Sequence, residues 1–93
     1  MIFETKNLTG GVLCELTVER DNQEIIYASV TAPSIVRCEV RRGDKIVDIV
    51  FAGAGGSHSW WAGAAAPMMR DLLKGEKIEV SVDGPAAFRI DLS

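Results

Sequence analysis

The sequence is short of histidine and cysteine, and the shortage removes much chemistry at the outset. One histidine, His58, and two cysteines, Cys14 and Cys38, stand among 93 residues. No C-x-x-C or H-x-x-x-H spacing occurs, so a zinc centre would need carboxylates to complete it. No metal and no cofactor is expected. Neither sign of charge dominates: 10 Lys and Arg against 13 Asp and Glu leave a net charge of −3. Such a chain lacks the surplus of cations with which proteins hold nucleic acid or an anionic membrane. Arg37, Arg41, Arg42 and Lys45 are nevertheless near enough in sequence to form a local basic patch. No apolar run approaches the roughly 20 residues of a membrane-spanning helix. Met1 to Asn7 shows neither the basic region nor the apolar stretch of a secretory signal peptide. A cytoplasmic location is expected if Met1 is native, and a periplasmic one if the chain is a processed form.

What is present reads as a single β-rich domain over residues 1–93. The composition, 47% hydrophobic and 25% charged, is that of a globular protein. Apolar and polar residues alternate along 12–19, 24–32, 35–41 and 45–52, and again along 78–82 and 88–92. Each run is a strand buried on one face. A further strand is expected near Ile2 to Thr5. Asp21-Asn22-Gln23, Arg42-Gly43-Asp44 and Asp83-Gly84-Pro85 are turn sequences. Six or seven short strands with regular turns predict an antiparallel β-sandwich or partly open barrel. The alternation places Cys14, Leu16, Val18, Val36, Cys38, Val40, Val47, Ile49, Phe51, Ile78, Val80, Val82, Phe88, Ile90 and Leu92 in the core. Along 45–52 the opposite face, Ile46, Asp48 and Val50, is also largely apolar, as expected of a central or covered strand. Cys14 and Cys38 are either buried reduced thiols or partners in one disulfide, which would close a loop of about 25 residues and contribute roughly 3 kcal/mol.

The segment from Gly53 to Gly75 breaks the alternation. It contains His58 and both tryptophans, Trp60 and Trp61. Pro67 suits the first turn of a helix, Met69, Leu72 and Leu73 fall at i, i+3 and i+4, and Gly75 suits its end. These features predict a helix over 67–74, with Met68 adding to its apolar stripe. Trp60 and Trp61 admit two readings. One ring anchors in the core while the other is exposed as a binding hot spot, or both are buried and pin the loop. Trp60, Trp61, His58 and Met68 are the candidate binding residues. Ser57-His58-Ser59 is not a G-x-S-x-G elbow, and adjacent residues rarely form a catalytic triad. Gly53-Ala54-Gly55-Gly56 lacks the Gly-Lys-Ser/Thr of a phosphate loop.

From Cys38 onward the chain presents a strand pair, Trp60-Trp61, Met69-Arg-Asp-Leu-Leu-Lys-Gly75, Ile78-Glu-Val-Ser-Val82 and Phe88-Arg-Ile-Asp-Leu-Ser93. Over a little more than half its length this resembles the second half of small bacterial envelope β-sandwich domains, such as invasion-associated locus B proteins and type VI secretion accessory proteins. The chain departs from them by lacking a signal peptide and by ending where such domains often continue. The resemblance implies a sandwich fold and a non-catalytic accessory role, and it transfers no functional residue. The expected function is therefore a non-catalytic binding or accessory module. It would act through a protein partner, or through a second copy as a homo-oligomer, using Gly53–Gly75 and an open sheet edge. Direct nucleic-acid binding is not expected. One alternative is a small acidic inhibitor of the mobile-element type, occluding a nucleic-acid-handling partner. A second is a minor hydrolase using His58.

Overall fold

A computed structural model describes residues 1–53, 58–61 and 71–93, with His58–Trp61 described in backbone only. The described residues form eight strands: β1 (Ile2–Asn7), β2 (Gly11–Thr17), β3 (Ile25–Thr31), β4 (Val36–Arg42), β5 (Lys45–Ala52), β6 (His58–Trp61), β7 (Lys77–Val82) and β8 (Ala86–Leu92). They pair antiparallel into two four-stranded sheets, β1-β8-β3-β6 and β2-β7-β4-β5. The β-sandwich expected from the alternation is thus the observed fold. Edge strands β1 and β2 meet at one flank, and edge strands β5 and β6 meet at the other.

The core lies between the sheets and follows the period of two. In the first sheet Ala28 pairs with Ile90 and Val30 with Phe88, and all four are buried. In the second, Leu16 pairs with Ile78, Cys14 and Val40 with Val80, and Cys38 with Val82. Those side chains are buried as well. Burial of this apolar surface, at roughly 25 cal/mol per Å2, is the main force holding the sheets together.

Three strands depart from strict alternation, each by one residue. Leu13 in β2 and Ile26 in β3 stand where the register slips against β7 and β8. As a result Leu13 and Cys14 are consecutive and both buried. The third slip changes the surface most. β4 and β5 start in step, with Arg42 opposite Lys45 and Arg41 opposite Ile46, but Val40 then faces Asp48. Val47 is the extra residue of a β-bulge, and a one-residue shift moves all later side chains to the other face. Unbroken pairing would place Val47, Ile49 and Phe51 beside Val40, Cys38 and Val36, as the sequence predicts. Instead Val50 and Ala52 pair with Cys38 and Val36. Ile49 and Phe51 are exposed at 43% and 61%, and Val47 is half-buried. Ile49 and Phe51 are therefore corrected as core positions, while Val47 packs against the core without being fully buried.

A tight corner follows. Gly53 has φ 119°, and a Cβ there would come within 2.0 Å of the Ser34 carbonyl oxygen. Only glycine fits so close an approach in that conformation. Gly10 plays the same part where β1 crosses to β2, since a Cβ would lie 2.9 Å from the Gly84 nitrogen.

Residues 67–70 of the predicted helix lie outside the described residues, and 71–74 are not helical. Asp71 adopts φ 52°, and Leu72 forms an isolated bridge with Gln23. The Leu72 N–H donates to the Gln23 carbonyl at 2.8 Å, whereas a helix would direct it four residues back. Leu72 is buried as expected, but Leu73 is 54% exposed.

The bulge can be tested by paired substitutions. Phe51→Lys should change stability by about 1 kcal/mol or less, as exposed positions do, whereas Ala52→Lys should cost about 3 kcal/mol or more by burying an unpaired charge. Urea denaturation of the two variants measures both. The reverse ranking would restore the unbroken register.

Candidate functional site

The flank formed by β5 and β6 gathers the features that set this molecule apart. β5 ends the second sheet and β6 ends the first. An edge strand has backbone N–H and C=O groups directed away from its sheet, available to another chain. On the β5 side the bulge adds Ile49 and Phe51 to the outer face, with Ile46, 46% exposed, nearer the turn. Phe51 lies opposite Arg37 and Ile49 opposite Glu39.

The β6 side carries three of the four candidate residues. His58 pairs with Thr31, Ser59 with Val30, Trp60 with Ser29 and Trp61 with Ala28. The sequence reading places this stretch in a loop, but its backbone forms a strand that pairs with β3 in the first sheet. The short polar-aromatic run between glycines is a weak strand signal, with no apolar alternation to reveal it. Which tryptophan is exposed lies outside the described side chains. Met68 and the glycines at 55 and 56 lie outside the described residues.

Charge on the neighbouring surface is paired, not segregated. Arg37 donates to Glu39 Oε1, and Arg41 Nη2 approaches Glu39 Oε2 at 3.4 Å. The hydrogen bond from Arg37, the charges of both arginines and the bond from Arg41 hold the Glu39 carboxyl below its usual range. Arg42 grips Glu76 with two bonds of 3.0 and 3.1 Å. Glu76 Oε2 also accepts the Leu73 N–H at 2.8 Å, and these bonds lower the Glu76 pKa, the Leu73 bond contributing most. Three cations of the expected basic patch are therefore engaged by carboxylates.

The cysteines are free thiols inside the sandwich. Cys14 is on β2 and Cys38 on β4, with β7 between them. Two strand spacings separate them by about 9–10 Å. That exceeds the roughly 7 Å beyond which Cα atoms cannot be bridged. The disulfide alternative therefore fails on topology. Burial, reinforced by Glu15, raises the Cys14 thiol from 9.0 to about 11. Burial, reinforced by Asp48 and Glu39, raises Cys38 from 9.0 to about 12. Neither is a thiolate near neutrality, so neither is an activated nucleophile.

No helix among the described residues is long and apolar enough to cross a membrane. Comparison with known protein families, curated proteins and solved structures finds no match to this chain.

The thiols give a direct test. Native protein at pH 8 should react with neither a disulfide reagent nor iodoacetamide over hours, and unfolded protein should titrate two thiols without reductant. Stability should also fall at high pH. Above pH 9 the unfolded chain loses thiol protons that the folded chain retains up to about 11 and 12. Unfolding then releases protons, and raising the pH favours it. Urea midpoints measured from pH 8 to pH 11 show the slope.

Proposed function

We propose that the protein is a non-catalytic binding module that contacts another protein through the β5–β6 flank. The observation that carries this reading is the exposure of Phe51 and Ile49, at 61% and 43%, on an edge strand beside the one that holds Trp60 and Trp61. Large apolar and aromatic side chains next to an open sheet edge are the ingredients of strand-addition interfaces, in which backbone bonds give affinity and side chains give specificity. The resemblance to bacterial envelope accessory domains agrees with a role without catalysis. The partner is a second protein or, in a homodimer, a second copy joined edge to edge. The acidic-inhibitor alternative draws less support, because Glu39 and Glu76 are interleaved with arginines and form no face of one sign.

Photo-crosslinking residues placed singly at positions 49, 51 and 15 test the flank. Glu15 is exposed on β2, at the opposite edge of the second sheet. Covalent adducts, to a cellular protein or to the chain itself, should form from 49 and 51 and not from 15. Trp60→Ala or Trp61→Ala should then weaken the captured complex by about 2 kcal/mol or more, the scale of a hot-spot residue. Adducts of equal yield from position 15 would show that the flank has no special role. Sedimentation velocity across a concentration series separates self-association from capture of a different protein.

A further inference from the structure

The outer face of the first sheet carries a concavity whose lining is unlike that of the apolar flank. A trough of about 410 Å3 lies there, lined by Glu4, Lys6, Ser29, Thr31, Ala87 and Arg89. The registers resolve it into two rows across the sheet. Lys6 pairs with Ala87, which pairs with Thr31, which pairs with His58. Glu4 pairs with Arg89, which pairs with Ser29, which pairs with Trp60. The small side chain of Ala87 leaves the first row open at its centre. Arg89 is held over the Tyr27 ring at 5.6 Å and loosely paired with Glu4 at 3.7 Å. Among the described residues, the Lys6 amine and the Ser29 and Thr31 hydroxyls meet no partner. Two cations, the Glu4 carboxylate and two hydroxyls thus line one open concavity.

We propose that this trough binds an extended peptide carrying carboxylate side chains at alternate positions. The spacing supports that ligand. Lys6 and Arg89 are diagonal neighbours on adjacent strands, about 7–8 Å apart. Carboxylates two residues apart on an extended peptide are separated by about 6.6 Å. A Glu-x-Glu segment can therefore reach both cations at once, Arg89 by a bidentate bond and Lys6 by a point contact. The peptide's amide groups complement the Ser29 and Thr31 hydroxyls. Glu4 is paired with Arg89 and is the group the ligand displaces. A nucleic-acid strand fits less well, because two cations release too few counterions to hold a chain that carries one charge per nucleotide. This site is distinct from the flank proposed above, since it lies on the sheet face and uses charge, not apolar contact.

The test is fluorescence anisotropy with a labelled, acetylated peptide of six alternating Glu and Ser residues in low-salt buffer. Matched probes are a Lys-Ser hexapeptide, a dT6 oligonucleotide and inorganic phosphate as competitor. The Glu-Ser peptide should bind saturably, and Lys6→Glu should weaken it roughly tenfold or more, as reversal of a contacting charge does. Arg89→Lys, which keeps the charge and loses the fork, should weaken it several-fold. Glu4→Gln should tighten it, because the competitor for Arg89 is removed; a merely structural role for Glu4 would not produce that gain. Phe51→Lys should leave it within about twofold, unlike contacts at the flank. Urea midpoints confirm that each variant is folded. Absence of saturable binding, indifference to Lys6→Glu, or no gain from Glu4→Gln overturns the proposal. So does stronger binding of dT6, or displacement by phosphate at concentrations equal to the peptide's, which would mark a generic anion site.

Discussion

Side chains along a strand alternate between two faces, so one inserted residue sends everything beyond it to the other side. Val47 is that residue in β5, and the surface of the β5 edge follows from it. Up to Ile46 the strand keeps simple hairpin register with β4, and after Val47 the parity is reversed. Burying Phe51 would remove a whole aromatic ring from water, worth roughly 1.5–3 kcal/mol. The shifted register instead turns Ala52 inward opposite Val36, next to the corner where Gly53 lies against the Ser34 carbonyl. The exposed apolar edge is thus a consequence of the register shift, and it is on that edge that the proposed interface is built.

The opposite constraint operates at the end of the sandwich where β2 turns into β3. Gln23 is the one buried polar side chain among the described residues, at 4% exposure. Its Oε1 accepts the Glu19 N–H at 3.3 Å, its Nε2 donates to the Ser93 carbonyl at 3.3 Å, and its own carbonyl accepts the Leu72 N–H at 2.8 Å. A buried amide costs stability unless its groups are satisfied, so the cluster forms together or not at all. It fixes Leu72 in the core and joins the 71–76 segment to the β2–β3 turn. Lys74 N–H to Asp21 at 2.9 Å and the Arg42–Glu76 pair reinforce the same junction. One end is tied together by polar bonds, while toward the other β5 presents exposed apolar side chains.

How much of this was legible in the sequence depends on whether each strand kept its period. β4, β7 and β8 alternate without interruption over their core positions, and Val36, Cys38, Val40, Ile78, Val80, Val82, Phe88, Ile90 and Leu92 are buried as the pattern requires. In β5 both faces are apolar, so periodicity alone could not decide between them. The deciding fact, a slip opposite Val40, is a property of pairing and not of composition. Leu72 and Leu73 imitate a helical stripe because a buried residue followed by an exposed one satisfies i, i+3, i+4 as readily as a turn does. The Leu72 N–H bond to Gln23 spans 49 positions and leaves no local trace. His58, Trp60 and Trp61 were singled out by residue type, and the backbone places them on a strand, but their part in binding rests on the proposals above. The trough was not legible at all, since it joins residues from β1, β3 and β8 that only the register assembles.

β6 links the two proposed surfaces. As an edge strand it borders the flank, and its register positions extend both rows of the trough, His58 beside Thr31 and Trp60 beside Ser29. A four-residue strand contributes few ladder bonds, and among the described residues β6 pairs with β3 alone. A partner strand adding to its free edge would give it a second ladder and hold it against β3. The trough would then be bounded on that side by a firmly paired strand, and a ligand lying there would lose less freedom on ordering the rim. Coupling of this kind is reciprocal: whatever the flank partner contributes to ligand affinity, the ligand contributes to partner affinity. The two surfaces differ in chemistry, one apolar and one charged, yet the architecture makes them neighbours through a single short strand. A protein whose apolar strand docks on the edge and whose acidic extension crosses the sheet would engage both and gain from the linkage between them.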